Sequence, residues 1–328
     1  MLFHYKAAIE VRGRRMISGK VLVAAAGAIC MAVGQPAMAG PVTGLLHLQY
    51  DFAQAGKAMP YQLYVPSSYD GARAFPLVVV LHGAGSDEKS VFANSKLAEL
   101  AEQRGVIIVA PLGYNAFGGY GDIYPTMVTK RTAEAGAERI KALSRNATGA
   151  PEERAAGMAG PEAPATPDEP YSEVAPSDLA QPEISRLSEQ DVLNVLAKVR
   201  QDYRIDPRRI YLMGNSMGGV GTLYLAAKYP QIWAAISPSG GAVATWSYPI
   251  ERLRRSGVAV LFVHGERDEH AHYRWSKALA DVGRAGGVDA SLLLVSGGSH
   301  VRAWTMVLPQ TFDFFLSHRK PVPSRSDR

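Results

Sequence analysis

The chain has 328 residues, of which 47% are hydrophobic and 20% are charged, and its formal net charge is +5. This composition is typical of a globular protein with a sizeable core, and it excludes a disordered or fibrous chain. Cys30 is the only cysteine, which excludes a disulfide framework and a cysteine-ligated metal site.

The first 39 residues have the pattern of a secretory signal peptide. A basic stretch over residues 12–20 precedes an apolar run over 21–33, and residues 37–39 read Ala-Met-Ala, a small-x-small cleavage pattern. The apolar run is shorter than the roughly 20 residues that a transmembrane helix requires. We therefore expect cleavage after Ala39 and a secreted or periplasmic protein with no membrane anchor after signal cleavage.

The same segment accounts for most of the positive charge. It carries five basic residues and one acidic residue, a net of +4, so the rest of the chain falls from +5 to about +1. A chain that is nearly neutral has no electrostatic footprint for nucleic acid, and no nucleic-acid partner is expected. The sequence leaves the oligomeric state open.

Short apolar segments after residue 40 predict the strands of a sheet. Residues 45–52 and 59–65 are rich in β-formers and predict a leading antiparallel pair. Continuous apolar runs follow, and such runs are typical of parallel strands covered on both faces. These runs lie at 77–81, 106–110, 210–213, 258–263 and 292–295.

Helical segments alternate with these strands. One is predicted at 90–104, and another follows a capping-box pattern that begins at Ser188. Further helices are predicted at 218–229, 274–284 and 310–317. Alternation of this kind predicts an α/β fold with a mostly parallel central sheet and helices on both faces.

One long stretch, residues 132–187, departs from this alternation. It is rich in Ala, Glu and Pro, with seven prolines between Pro151 and Pro182. Such a segment buries little apolar surface, and its prolines exclude long helices. We interpret it as a low-complexity, mobile insertion, with a lid over a functional site as the alternative.

Residues 214–218 read Gly-Asn-Ser-Met-Gly and form the strongest functional motif. The motif follows the strand at 210–213 and precedes a segment of helix formers. A sharp turn from strand to helix would hold Ser216 exposed above the sheet, and the flanking glycines would leave room for the turn. This context predicts Ser216 as a catalytic nucleophile.

Residues 82–85 read His-Gly-Ala-Gly and follow the strand at 77–81. In enzymes built around such a serine turn, the loop after this strand supplies one backbone N–H to an oxyanion hole. The residue after the nucleophile, Met217, supplies the other N–H. Ala84 is the preferred second donor, and Gly85 is the alternative.

A serine hydroxyl needs a base, and a histidine base needs an acid that orients it. His300 follows the last predicted strand and is the preferred base, with His270 and His272 as competitors. Asp268 follows the preceding strand and is the preferred acid. Glu266 and Glu269 are the alternatives for that role.

With these motifs the chain resembles the α/β-hydrolase superfamily. More narrowly, it is similar to exported esterases grouped with polyhydroxybutyrate-depolymerase-like, feruloyl-esterase-like and prolyl-oligopeptidase-like hydrolases. Residues 81–85, 205–219, 264–268 and 298–300 carry the resemblance.

The resemblance implies a serine hydrolase that cleaves a carboxylic ester through an acyl-enzyme intermediate. It implies a small-molecule or polymer ester as substrate, and it implies neither a metal nor an organic cofactor. A serine peptidase and a non-catalytic binding protein on the same fold are the alternatives.

Aromatic residues in two loops are candidates for substrate binding. The loop after the strand at 106–110 contains Tyr114, Phe117 and Tyr120, and a later loop contains Trp246. Loops at the carboxyl ends of parallel strands line the site in such sheets. We predict Tyr114, Tyr120 and Trp246 as substrate-binding residues, with ordinary packing of loop aromatics as the alternative.

Overall fold

The computed structural model describes residues 41–93, 95–123, 182–241 and 250–321. All of them belong to one compact unit, Gly40–Arg328. The predicted signal peptide, the part of the insertion before residue 182, and Trp246 lie outside the described residues, so the predictions about them remain predictions.

The described residues form an eight-stranded sheet in the order β1-β2-β4-β3-β5-β6-β7-β8. The strands are β1 Gly44–Phe52, β2 Lys57–Val65, β3 Phe75–Leu81, β4 Ile107–Pro111, β5 Ile205–Asn215, β6 Ala235–Ser239, β7 Ala259–Gly265 and β8 Ala290–Val295. The pairs β1/β2 and β2/β4 are antiparallel, and every other pair is parallel. The predicted mostly parallel sheet and its leading antiparallel pair are confirmed.

Eight α-helices are described around this sheet. They are α1 Glu88–Ala93, α2 Leu97–Arg104, α3 Pro182–Asp202, α4 Met217–Lys228, α5 Ile250–Ser256, α6 Arg274–Ala285, α7 Arg302–Met306 and α8 Leu308–Ser317. Within these described ranges, no helix combines the length and the hydropathy needed to cross a membrane.

The apolar runs divide their side chains between two cores because successive strand residues point to opposite faces. Leu77 and Val79 on β3 belong to the core that α3, α4, α5 and α6 cover. Val78 and Val80 belong to the core that α1, α2 and α8 cover. The helices therefore cover both faces, as the sequence predicts.

The helix predicted at 90–104 is two helices, and Ser95 gives the physical reason. Its hydroxyl donates to the carbonyl of Val91 at 2.6 Å and accepts the N–H of Leu97 at 3.3 Å. A serine side chain that bonds to the local backbone competes with the helical ladder. The prediction of one continuous helix was wrong at this point.

α3 begins at Pro182, six residues before the start that the capping-box pattern at Ser188 indicates. Proline suits the first turn of a helix, where its missing N–H is not needed. Leu187, in the second turn of this helix, is buried against Phe52 and Met59. The last six residues of the 132–187 segment are therefore helix rather than mobile insertion.

Candidate active site

Ser216 occupies the sharp turn between β5 and α4. Its backbone has φ 58° and ψ −120°, a region that non-glycine residues rarely adopt. A Cβ on Gly218 would lie 2.3 Å from the carbonyl oxygen of Leu81, and one on Gly214 would lie 2.5 Å from that of Gly218. Glycine at both positions is therefore what allows the turn to cross so close to β3.

The loop after β3 lies against Ser216. A Cβ on Gly83 would lie 3.6 Å from the Cβ of Ser216, which places the segment 83–85 beside the partly exposed serine. The N–H of Gly85 donates to the carbonyl of Ala116 at 2.9 Å and is therefore already used.

Two backbone N–H groups next to Ser216 remain available as donors. The N–H of Ala84 has no acceptor within the part of the chain that the structure describes. Met217 is the first residue of α4, so its N–H has no partner within the helix. Between the two alternatives for the second donor, the hydrogen bonds favour Ala84 over Gly85.

His82 connects this loop to the loop after β4. Its ring nitrogens lie 2.8 Å from the carbonyl oxygen of Gly83 and 2.7 Å from that of Leu112. The side chain is buried, and its ring also meets that of Tyr120 edge-on with centres 5.5 Å apart. Its place in the structure is to hold the loop that carries Ala84.

The loop after β4, residues 112–123, is fixed by polar side chains of α3. Asp191 accepts the N–H of Gly113 at 2.7 Å and the hydroxyl of Tyr50 at 2.6 Å, while Ser188 accepts the N–H of Tyr120 at 2.8 Å. Burial raises the pKa of Asp191, against the lowering effect of these hydrogen bonds. The helix thereby shapes a loop that in turn accepts the N–H of Gly85.

The prediction that Tyr120 binds substrate was wrong. Its side chain is fully buried, and its hydroxyl donates to the carbonyl of His82 at 3.2 Å. Burial raises the pKa of Tyr120 well above its usual value. The ring belongs to the core and supports the loop from there.

Tyr114 packs away from the loop tip, and its role in binding remains a prediction. Its ring meets that of Phe52 edge-on at 6.5 Å, and the ammonium of Lys57 lies 4.0 Å from its centre. Phe117, in contrast, is 54% exposed, and its ring lies 3.5 Å from the Cβ position of Gly85. The sequence gives no signal that distinguishes Phe117 from the other aromatics of this loop.

Asp268 and His300 meet at the carboxyl ends of β7 and β8. The Nδ1 of His300 lies 2.9 and 2.8 Å from the two carboxylate oxygens of Asp268. Because a carboxylate can only accept, Nδ1 carries the proton and the lone pair of the neutral ring is on Nε2. That is the tautomer which a general base requires.

The surroundings of Asp268 keep it ionised. Burial opposes its charge, but hydrogen bonds from His264, His300 and the N–H of Ala271 outweigh burial and hold the pKa of Asp268 well below its usual range. The N–H of His270 also donates to this carboxylate, at 2.9 Å. Asp268 is thus a buried acceptor surrounded by donors.

The alternative carboxylates make other contacts. Glu266 accepts the hydroxyl of Ser296 at 2.9 Å, and Glu269 accepts the backbone N–H of His300 at 3.2 Å. Neither carboxylate has a hydrogen bond to the His300 ring among the described residues. The geometry therefore favours Asp268 over both for the acid.

The competing histidines lie at the edge of the site. The His270 ring contacts that of His300 edge-on with centres 4.8 Å apart, and Nδ1 of His272 accepts the N–H of Arg274 at 3.1 Å. Of the three histidines, His300 is the one whose ring has hydrogen bonds to Asp268 among the contacts between described residues, so the geometry favours His300 for the base.

The turn at Ser239 and Gly240 contacts both Ser216 and His300. The carbonyl of Ser239 accepts the N–H of Ser216 at 2.9 Å. Gly240 has φ 56°, and a Cβ there would lie 3.3 Å from Nδ1 of His300. The end of β6 therefore brings the elbow and the histidine to the same edge of the sheet.

No cluster of three or more His, Cys, Asp or Glu side chains suited to a metal ion occurs within the described ranges. The described residues combine a partly exposed hydroxyl on a strained turn, two available N–H groups beside it, and a histidine oriented by a buried carboxylate. Such a set can perform nucleophilic acyl transfer.

Comparison with known proteins identifies the family of this chain. The model of the alpha/beta hydrolase family matches residues 78–324, which is most of the chain. The chain belongs to the α/β hydrolase family. The matched region contains strands β4 to β8, the turn at Ser216 and the histidine after β8.

Sequence comparison also finds a bifunctional acetylxylan esterase/xylanase of Neocallimastix patriciarum. It is 29% identical over 85 residues, which are 26% of this chain and 12% of that protein. The chain thus matches only a small part of this relative's length.

Solved structures with a similar fold include esterases. A thermostable esterase superposes with a TM-score of 0.54 and 18% identity, covering 84% of this chain and 63% of that one. A ferulic acid esterase of Anaeromyces mucronatus, in complex with ferulic acid, superposes with a TM-score of 0.52 and 17% identity, covering 87% and 93%. At such identities the likeness concerns the fold.

Proposed function

We propose that this α/β hydrolase cleaves a carboxylic ester, with Ser216 as nucleophile, His300 as general base and Asp268 as the acid that orients it. The observation that carries the proposal is the pair of contacts from Nδ1 of His300 to the Asp268 carboxylate, which leaves the Nε2 lone pair available. The strained turn at Ser216 supports the nucleophile.

In acylation, the Ser216 oxygen attacks the acyl carbon of the ester, and its proton passes to Nε2 of His300. The ionised Asp268 stabilises the imidazolium that forms. The oxyanion of the tetrahedral intermediate accepts hydrogen bonds from the N–H groups of Ala84 and Met217. Loss of one such donor typically lowers kcat about 100- to 1000-fold. His300 then protonates the leaving alcohol as the ester bond breaks.

Deacylation runs through the same groups. A water molecule gives a proton to His300 and attacks the acyl-enzyme, and the second oxyanion uses the same two N–H groups. The bond from the acyl carbon to the Ser216 oxygen then breaks, and the proton returns to the serine. The products are a carboxylic acid and free enzyme.

The substrate is proposed to pass over Phe117. Its exposed ring lies beside Gly85, one residue from the proposed donor Ala84. An aromatic face next to an oxyanion hole favours esters with an apolar or aromatic group near the scissile bond. Small-molecule and polymer esters of this kind are the proposed partners, and export through the predicted signal peptide would place the enzyme outside the cytoplasm.

The test is turnover of nitrophenyl acetate, butyrate and ferulate beside a peptide substrate. We expect hydrolysis of at least one ester that the Ser216→Ala variant does not catalyse. Hydrolysis of the peptide alone would replace the esterase proposal by a peptidase, and no turnover by folded protein would favour a binding protein.

A further inference from the structure

A second histidine, His264, contacts the carboxylate of the proposed acid, Asp268. It lies near the end of β7 and is fully buried. Its Nε2 lies 3.1 Å from the Oδ2 of Asp268 and 2.8 Å from the carbonyl oxygen of Ala271. Its Nδ1 lies 2.7 Å from the hydroxyl of Ser276 on α6.

These partners determine where the proton on the His264 ring resides. The carbonyl of Ala271 and the carboxylate of Asp268 can only accept, so Nε2 is the N–H that both share. The hydroxyl of Ser276 can donate to the lone pair on Nδ1. A neutral ring with this tautomer satisfies every contact and adds no second charge to the buried site.

The contrast with His82 shows that this arrangement is specific. His82 directly follows β3 and His264 is the second-last residue of β7, and both are buried and followed by glycine. Among the described residues, the ring nitrogens of His82 have backbone carbonyls as polar partners, whereas Nε2 of His264 lies beside a carboxylate that is itself bonded to His300. Simple packing at a strand end does not require that contact.

We propose that His264 and Ser276 form a positioning pair that orients Asp268 toward His300 and supports its ionised form. The inference rests on the proposed esterase function of the site. Ser276 fixes the tautomer of His264, and His264 donates to the oxygen of Asp268 that His300 also uses. Neither residue touches the reacting atoms.

Other charged and titratable groups also face this network. Ring nitrogens of His264 and His300 contact the Asp268 carboxylate, and the backbone N–H of His300 donates to Glu269. The His270 ring lies against the His300 ring. Since these neighbours remain in place in variants of His264, a change in the pH profile of such variants reports on the Asp268 carboxylate.

The experiment compares four variants by kcat, by the pH profile of kcat/KM and by Tm. His264→Phe keeps a ring but removes the donor, His264→Gln keeps an N–H donor, and Ser276→Ala removes the hydroxyl. Thr311→Val is the matched control, because this buried hydroxyl donates only to Val307 at 3.1 Å within its own helix region.

We expect His264→Phe to lower kcat about 10- to 100-fold, the loss that one hydrogen bond to a charged group represents. The acid limb of the profile should move up by about half to one pH unit, because a carboxylate with fewer donors holds the proton of the base more strongly. His264→Gln should retain most of the rate, Ser276→Ala should lie between, and Thr311→Val should change Tm only.

The proposal is overturned if His264→Phe keeps the wild-type kcat and acid limb, or if His264→Gln loses as much as His264→Phe. If His264→Phe does not fold, kcat and the acid limb of Ser276→Ala are compared with those of Thr311→Val. Equal values in these two variants would overturn the proposal.

A readout independent of activity separates this inference from the esterase proposal. The Nδ1 proton of His300 that bonds to Asp268 can be followed by NMR in resting protein. Its resonance should move in Ser276→Ala and in folded His264→Phe, and should stay in Thr311→Val. An unmoved resonance contradicts the positioning pair, whereas absent turnover with a moved resonance contradicts only the esterase proposal.

Discussion

The two sides of the candidate site are held by different kinds of contact. On the oxyanion side, around Ala84, the contacts are mainly to backbone groups. The N–H of Gly85 donates to the carbonyl of Ala116, and the ring of His82 contacts the carbonyls of Gly83 and Leu112. On the acid–base side, side chains meet directly, with Asp268 bonded to His300 and His264. The geometry of the first side therefore depends on the path of the backbone. The geometry of the second side depends on contacts between side chains that can ionise.

This difference predicts which changes affect rate and which affect folding. A side-chain substitution on the acid–base side should lower activity far more than stability. A substitution on the oxyanion side should act mainly by disturbing the packing of turns. Four predictions test that division.

The largest effect is expected for Asp268→Asn. The amide would donate to Nδ1 of His300 in place of accepting from it, and the wrong tautomer lowers kcat by about 10,000-fold in comparable triads. Steady-state kinetics on the best ester measures the loss. A decline of less than about tenfold would mean that Asp268 does not orient the base.

Gly218→Ala tests the backbone side. The added Cβ would lie 2.3 Å from the carbonyl oxygen of Leu81, so the turn must shift and the free energy of unfolding should fall by about 3 kcal/mol or more. Gly71→Ala is the control, because no atom lies within 4 Å of its Cβ position and its φ of 76° alone should cost about 1 kcal/mol. Urea unfolding compares the two, and equal losses would contradict the close crossing.

The pH dependence of stability tests the ionisation of Asp268. Its pKa is lower in the folded protein than in the unfolded chain, so its contribution is fully present above about pH 4 and is lost as the pH falls through the folded value. The difference in unfolding free energy between wild type and Asp268→Asn should be about 1–3 kcal/mol at pH 6 and shrink below pH 4.

Asp281→Asn, which removes an exposed carboxylate of α6, serves as the control for that titration. We expect its difference from wild type to stay small across the same range. A wild-type advantage over Asp268→Asn that grows toward acid would contradict the assigned sign.

The smallest effect is expected for Phe117→Ala. Loss of an aromatic face should raise KM for butyrate or ferulate esters about tenfold and leave acetate nearly unchanged. Leu45→Ala removes an exposed apolar side chain on β1 and is the control. Equal changes for all three esters would place Phe117 outside the substrate path.

The sequence predicts the sheet well because its strands are continuous apolar runs covered on both faces. The apolar runs at 77–81 and 258–263 are enough by themselves to predict strands there. The helix break at Ser95 and the start of α3 at Pro182 depend on one side-chain hydrogen bond and one buried leucine, which periodicity does not reveal.

The same reasoning explains the candidate site. Motif spacing favours Asp268 and His300 as acid and base, because both follow strands that end at one edge of the sheet. It leaves nearby carboxylates and histidines as alternatives, and the contacts between the His300 ring and the Asp268 carboxylate are what favour this pair. Motif spacing is not enough to separate Tyr120 from Phe117, because the burial of one ring and the exposure of the other depend on tertiary packing that spacing does not reveal. Nor does it reveal that His264 reaches the carboxylate of Asp268.

Covalent labelling at Ser216 tests the central claim most directly. The protein would be treated with a fluorophosphonate at neutral pH, and the modified peptide identified by mass spectrometry. We predict one label on Ser216, none in Ser216→Ala, and much slower labelling in His300→Ala. A folded wild-type protein that stays unlabelled, or carries the label at another residue, would contradict the claim that Ser216 is an activated nucleophile.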